Sequence, residues 1–249
     1  MRQLIAGNWK MHGLAGQLPE VLGIATSAEA ASSYADILIC PPATFIARAA
    51  VAAAGRMAIG GQDCSAEAQG AFTGDISTAM LLDAGASAVI VGHSERRHYH
   101  GETNEIVSAK AATASHAGLL TIICIGETQA QRKAGETFSV CDDQIAQSLP
   151  DGMNLAATAI AHEPLWAIGS GRVPSSQEIV DVHEHIRKCL VARFGADGKS
   201  VRILYGGSVK PDNAREILAL PEVDGALIGG ASLKAADFDA IVRSAGPRA

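Results

Sequence analysis

The chain has 249 residues, 48% hydrophobic and 18% charged, which is ample material for a sizeable core and excludes a disordered chain. A formal net charge of −6 argues against a nucleic-acid binder, which would carry a basic stripe, but leaves room for a local cationic pocket holding a small anion. No run approaches the ~18 apolar residues of a membrane span. The opening Met1 to Asn8 lacks the apolar core of a signal peptide, and five widely spaced cysteines without a Cys-x-x-Cys pair favour reduced thiols in the cytoplasm.

Strands are predicted at Leu4–Ala6, Ile37–Cys40, Met57–Gly60, Ala88–Val91, Thr121–Ile125, Ala157–Ala161, Arg202–Tyr205 and Ala226–Gly229, with helical patterns between them. Phe138, Cys141, Ile145 and Leu149 keep one helical face, as do Ile179, Val182, Ile186 and Leu190, and Pro211 suits a first helical turn. Length alone fits one large α/β barrel or two small domains, and a doubly wound sheet would alternate in the same way. The strand count, the absence of a linker and the lack of a dinucleotide glycine fingerprint favour a single (β/α)8 barrel over residues 1–249. On such a barrel the residues after each strand converge at one face. Asn8 and Lys10, His93 and Glu95, Glu163, Ser208, and Gly229 with Gly230 therefore become candidates for one pocket.

The most informative stretch runs from Ala161 to Arg172. A strand ends in Glu163, an apolar loop follows (Pro164, Leu165, Trp166, Ala167, Ile168, Gly169, Ser170, Gly171), and Ser175-Ser176-Gln177-Glu178 forms a capping box. Apolar loop residues need something to close onto, so this loop reads as a lid over a site containing Glu163. Gly229-Gly230 before a short turn exposes backbone N–H groups that favour an anion, and Ser208 and Gly169 sit where they would add donors. His183 and His185 are two apart on a helix and point away from each other, and His98 and His100 lack a carboxylate frame, so no metal site is expected.

The Ala161–Arg172 segment resembles the base-and-lid motif of the triosephosphate isomerase family. Asn8-Trp9-Lys10, Gly92-His93-Ser94-Glu95-Arg96-Arg97, Cys124-Ile125-Gly126-Glu127, Tyr205-Gly206-Gly207-Ser208 and Gly229-Gly230-Ala231-Ser232 fall in order along the chain as that resemblance requires. The resemblance implies an aldose–ketose isomerase of phosphorylated trioses that needs no cofactor. It makes Glu163 the base and His93 a neutral electrophile whose pKa is lowered by backbone N–H groups, a tuning for which this same family is the standard example. Lys10 then stabilises the substrate dianion and the enediolate oxygen, Glu95 is its ion-pair partner, and Asn8 donates to the carbonyl oxygen. Gly169, Ser208, Gly229 and Gly230 hold the phosphate, and Ile168 closes against Leu227.

Gln62 to Thr78 is long for a strand–helix connection, normally about 2–6 residues. Its tip, Gly70-Ala71-Phe72-Thr73-Gly74, resembles the family's interdigitating loop, implying a homodimer in which Thr73 supports the partner's Asn8 and the partner's Lys10. The chain departs from the commonest family pattern at His162 (usually Tyr), Leu165 (Val), Ser170 (Thr) and Arg172 (Lys), which bears on lid kinetics. Another phosphate-binding barrel enzyme, such as an aldolase or a biosynthetic isomerase, would not require the lid motif, and the Schiff-base lysine at a strand end is lacking; a non-enzymatic scaffold would not need Glu163, His93 and Lys10 together.

Overall fold

The computed structural model describes residues 1–167 and 173–246. Ile168, Gly169, Ser170, Gly171 and Arg172 of the expected lid lie outside the described residues. Eight strands, Gln3–Asn8 (β1), Ala35–Cys40 (β2), Ala58–Gly61 (β3), Ala88–Val91 (β4), Leu120–Ile125 (β5), Thr158–His162 (β6), Arg202–Tyr205 (β7) and Gly225–Ile228 (β8), close in sequence order into a parallel barrel. The closing pair is β1 with β8, where Leu4 stands opposite Gly225 and Gly7 opposite Ile228. A doubly wound sheet has no such pair. β4 and β7 have the expected bounds, whereas β3, β6 and β8 sit one residue from theirs. β1 reaches Asn8, which is the last residue of the strand and pairs with Cys40. Apolar runs mark where a strand is buried, but its ends are set by the ladder its neighbours complete.

Two apolar layers sandwich the barrel wall. Inside lie Leu4, Ala6, Leu38, Cys40, Ala88, Ile90, Ile122, Cys124, Ala159, Ala161, Leu204 and Leu227. The many Ala and Cys in this set fit the narrow interior of an eight-stranded barrel. The alternate residues, such as Ile5, Ile39, Val89, Ile123, Ile160 and Ile203, face outward and meet the helices. The helix Ser176–Phe194 buries Ile179, Val182, Ile186 and Leu190 as its spacing predicts. It starts at the Ser175 cap, whose side chain accepts from the Glu178 N–H in a full capping box. Pro211 opens the helix Pro211–Leu218. The helix Thr137–Ser148 departs from expectation at one end. Cys141 and Ile145 are buried, but Phe138 is 44% exposed and lies on the ring of His185, with centroids 4.6 Å apart. A residue in the first turn can overhang the neighbouring helix instead of entering the core. Among the described residues no helix is long and apolar enough to cross a membrane.

Tight backbone approaches set where β6 ends. A Cβ placed on Gly126 would stand 1.8 Å from the carbonyl oxygen of Glu163, and one on Gly206 would stand 2.8 Å from the Glu163 Cγ. Gly126→Ala must therefore push the end of β6 outward. Overpacking of this kind costs about 1–3 kcal/mol. Gly16→Ala, which has open space around it, is expected to be close to neutral. Urea midpoints of the two variants measure the contrast, and equal midpoints would show that the β5–β6 approach is slack.

Candidate active site

A cleft of about 1080 Å³ at the C-terminal ends of the strands is lined by Asn8, Lys10, His93, Glu163, Gly206 to Asp212, Leu227 and Gly229 to Ala231, among others. The structure thus brings together the residues singled out at the end of β1 and in the loops after β1, β4, β6, β7 and β8. Glu95 stands just behind them and reaches the site through Lys10.

Lys10 holds a backbone geometry that side-chain-bearing residues seldom adopt, with φ of 50°. Neighbouring groups fix it there. Its N–H donates to Asn8 Oδ1 at 3.0 Å, and its carbonyl accepts from Gln62 Nε2 at 2.8 Å. Below it Trp9 is fully buried and stacked on Phe45, 5.9 Å between centroids. The ammonium then donates to Glu95 Oε1 at 2.6 Å. Strained backbone held by several independent contacts is typical of functional sites. Sequence context does not single out Gln62; nothing in a lone Gln after a strand announces such a clamp.

Glu163 is 2% exposed and held at both oxygens: Oε2 accepts from the Ser94 N–H at 2.9 Å, and Oε1 lies 2.8 Å from His93 Nε2. Ser94 opens the helix Ser94–His100, and His93 caps it, its Nδ1 accepting from the Glu95 N–H at 3.2 Å. That contact leaves the ring proton on Nε2, pointing at Glu163. Burial alone would raise the Glu163 carboxyl, but His93 and the Ser94 N–H outweigh it and hold its pKa below the usual carboxylate value. Burial likewise pushes His93 down, and Glu163 outweighs it, leaving the imidazole above the ordinary histidine value. The expectation of a histidine lowered by backbone N–H groups is corrected to this extent. The N–H contact exists, but the adjacent carboxylate, far away in sequence, dominates while the pair is intact.

A second buried acid pins the chain just after Glu163. Glu127, 1% exposed, accepts from Trp166 Nε1 at 2.9 Å and stands 3.2 Å from His162 Nε2, while its carbonyl accepts from the Leu165 N–H. Burial pushes the Glu127 carboxyl up, yet His162 and Trp166 bring its pKa below normal. The Arg132 guanidinium covers the Trp166 ring at 4.6 Å and also pairs with Glu178 of the capping box. Glu127 lies in a string already noticed in the sequence, but its role as a tether depends on β5 and β6 being neighbours. Pro164 and Ala167 are buried, and Leu165–Ala167 forms a single 3-10 turn.

At the far side of the cleft, Gly229 precedes the 3-10 turn Gly230–Leu233, whose first N–H groups have no partner within the turn. Ser232 closes the turn onto the Gly229 carbonyl through its N–H at 2.9 Å and its hydroxyl at 2.7 Å. A Cβ on Gly229 would stand 3.7 Å from the Lys10 Cε, so this turn and the ammonium are near neighbours. The Ser208 carbonyl accepts from Asn213 Nδ2 at 3.1 Å, which orients the loop after β7. The corner thus sets the first N–H groups of the Gly230 turn near one cation, a setting that suits an anion. The tip residues Phe72 and Thr73 lie away from this cleft, on an exposed loop.

Known proteins resemble this chain over nearly its whole length. The family profile described as triosephosphate isomerase matches residues 3–245. The chain is 56% identical to the triosephosphate isomerase of Rhodopseudomonas palustris (strain BisA53), over 97% of this chain and 96% of that one. It is 57% identical to that of Afipia carboxidovorans, over 98% of each chain. The crystal structure of triosephosphate isomerase from Bartonella henselae is similar with a TM-score of 0.92 at 45% identity, covering 98% of this chain and 99% of that one.

The opposed influences on His93 make a direct prediction. Removing the charge with Glu163→Gln leaves burial, the largest influence, and Lys10 to disfavour the imidazolium, with only the weaker Glu95 favouring it. The His93 pKa is then expected to fall below the ordinary ~6.5. Titration of the ring by NMR checks it, and an unchanged pKa would show that Glu163 does not control the histidine.

Proposed function

This chain belongs to the triosephosphate isomerase family of aldose–ketose isomerases, and from that premise we propose how its own residues interconvert dihydroxyacetone phosphate and D-glyceraldehyde 3-phosphate, the family's reaction in glycolysis and gluconeogenesis. The observation that carries the proposal is the Glu163–His93 pair at the mouth of a cleft that ends in a backbone anion corner.

The phosphate docks on the N–H groups of Gly230 and Ser208, with Gly169 of the lid as a further donor. Lys10 balances its charge, and Glu95 keeps the ammonium in place. The substrate carbonyl oxygen takes over the Nε2–H of His93 and a donor from Asn8, which displaces Glu163. Freed from His93 and Ser94, the carboxylate is left with burial as its main influence, and its proton affinity rises. It removes a proton from the carbon next to the carbonyl. The C–H electron pair becomes the carbon–carbon double bond, and the carbonyl pair moves onto oxygen, where His93 and Lys10 stabilise it. His93 donates its Nε2–H to this oxygen and takes up the proton of the neighbouring hydroxyl, and Glu163 returns its proton to the former carbonyl carbon as the other oxygen becomes the carbonyl, which completes the isomerisation. Side chains and backbone suffice, so no cofactor or metal takes part.

Residues Pro164 to Gly171 act as the lid that keeps water from the enediolate, with Ile168 closing on Leu227. Support comes from the Glu127–Trp166 tether at its root and from Leu227, which lines the cleft. The chain works as a homodimer, with Phe72 and Thr73 inserted beside the partner's Asn8 and the partner's Lys10. Met11, 94% exposed directly after Lys10, and Phe72, 47% exposed, border one groove with Gln62 and are apolar surface suited to such a contact. Its free thiols suit a reducing cytoplasm.

Glu163→Asp withdraws the carboxylate by about 1 Å and is expected to lower kcat on the order of 100-fold with little change in KM. A coupled assay of triose phosphate turnover tests this, and equal effects on both parameters would refute Glu163 as the base. Replacing Phe72 and Thr73 by Asp is expected to give a monomer by light scattering with most of its activity lost. An unchanged dimer would refute the role of the loop, and a fully active monomer would refute its support of the site.

A further inference from the structure

On the outer face of the barrel, well apart in sequence from the cleft residues, three different donor side chains converge. His185 and Cys189 lie four apart on the helix Ser176–Phe194 and so share one face, and Asp142 faces them from the helix Thr137–Ser148. His185 Nε2 stands 2.7 Å from Asp142 Oδ1, Cys189 Sγ donates to the same oxygen at 2.9 Å, and the three donor atoms lie within 4.8 Å of one another. The ring of His185 is held by Phe138, which the helix turns outward over it. His183, two residues away along the chain, points elsewhere; the fold pairs His185 with a thiol and a carboxylate instead.

We propose that Asp142, His185 and Cys189 form a site for a divalent metal ion of the zinc class, separate from the isomerase cleft. Donors around a tetrahedral zinc stand about 3.2–3.8 Å apart, given bond lengths near 2.0–2.3 Å. The cluster therefore needs only to open by under about 1 Å to admit an ion in place of the protons that now bridge it. A thiolate with an imidazole selects zinc or cobalt over magnesium or calcium, which prefer all-oxygen sets. The three side chains leave a fourth position for water, and their partial exposure gives the ion a path from solvent. On binding, the Cys189 S–H proton leaves to solvent and the sulfur pair bonds the metal. The imidazole offers its Nε2 pair with its proton on Nδ1, and one carboxylate oxygen of Asp142 completes the set. The ion joins two helices, one of which begins at the Ser175 capping box.

Co²⁺ titration of the fully reduced protein tests the site, because a cobalt–thiolate bond has a near-ultraviolet charge-transfer band. One equivalent is expected to produce the band with release of a proton, and Zn²⁺ to bleach it. Zn²⁺ at about 100 times its Kd is expected to raise Tm by about 5 °C. Turnover of triose phosphates should be unchanged. Cys189→Ser is expected to abolish the band and the Tm shift, and His185→Gln and Asp142→Asn each to weaken binding by at least about 10-fold. These three side chains lie on the surface, and unshifted Tm values without metal confirm that the variants fold. Absence of saturable Zn²⁺ binding below about 0.1 mM, or a charge-transfer band that survives in Cys189→Ser, would overturn the assignment.

Discussion

The seam between β1 and β8 is the constraint on which the rest of the molecule turns. The Leu4 N–H donates to the Asp224 carbonyl at 2.9 Å, and the strands then run in register from Leu4 opposite Gly225 to Gly7 opposite Ile228. The approach is possible because Gly225 has no side chain. Its φ is 146°, and a Cβ there would stand 2.0 Å from the Leu4 carbonyl oxygen. Asp224 ties the same corner to Arg187 at 2.8 Å and to the Ile203 N–H at 2.9 Å, so the seam is braced by β7 and by the helix outside it. Closure sets Lys10 beside Gly229, more than two hundred residues away in sequence, so that a cation and the N-terminal end of a 3-10 turn share one corner.

Within that frame the local chemistry rests on opposed influences. Glu163 and His93 are both almost completely buried, and each alone would resist charge. Together, with the Ser94 N–H, they hold a carboxylate that is stable and weakly basic. A ligand that takes the His93 proton for its own oxygen removes the stabilising partners without removing the burial. The same two residues can thus store the base in one arrangement and release it in another, without a titratable group beyond this pair. Glu127 is tethered in a comparable way by His162 and Trp166, and it anchors the turn Leu165–Ala167 to the β5–β6 edge.

Much of this is readable in the amino-acid order because it depends on local pattern. Alternating apolar runs locate all eight strands, the Ser175–Glu178 box and Pro211 mark helix starts, and short polar strings at strand ends mark the cleft. What stays hidden depends on contacts between distant segments. The Glu163–His93 contact spans seventy residues, and it reverses the direction expected for the histidine from its own helix start. Gln62 holding the Lys10 carbonyl, and Glu127 holding Trp166, are side chains whose partners are chosen by barrel neighbours. Phe138 keeps the helical period of a core residue but stands at a first turn, where the period no longer guarantees burial. His185 belongs with Asp142 across a helix–helix contact that no spacing within one helix reveals.

Ligand binding is expected to convert Glu163 from a stabilised carboxylate into a strong base. Carbon-13 NMR of the protein labelled at glutamate carboxyls, assigned with Glu163→Gln, reads its ionisation directly in the free protein and with a two-carbon phosphorylated enediolate mimic bound. Glu163 is expected to be ionised with a depressed pKa when free, and to have a pKa raised above the ordinary ~4.3 for glutamate when the mimic displaces it from His93 and Ser94. A Glu163 pKa that stays depressed in the complex would contradict it.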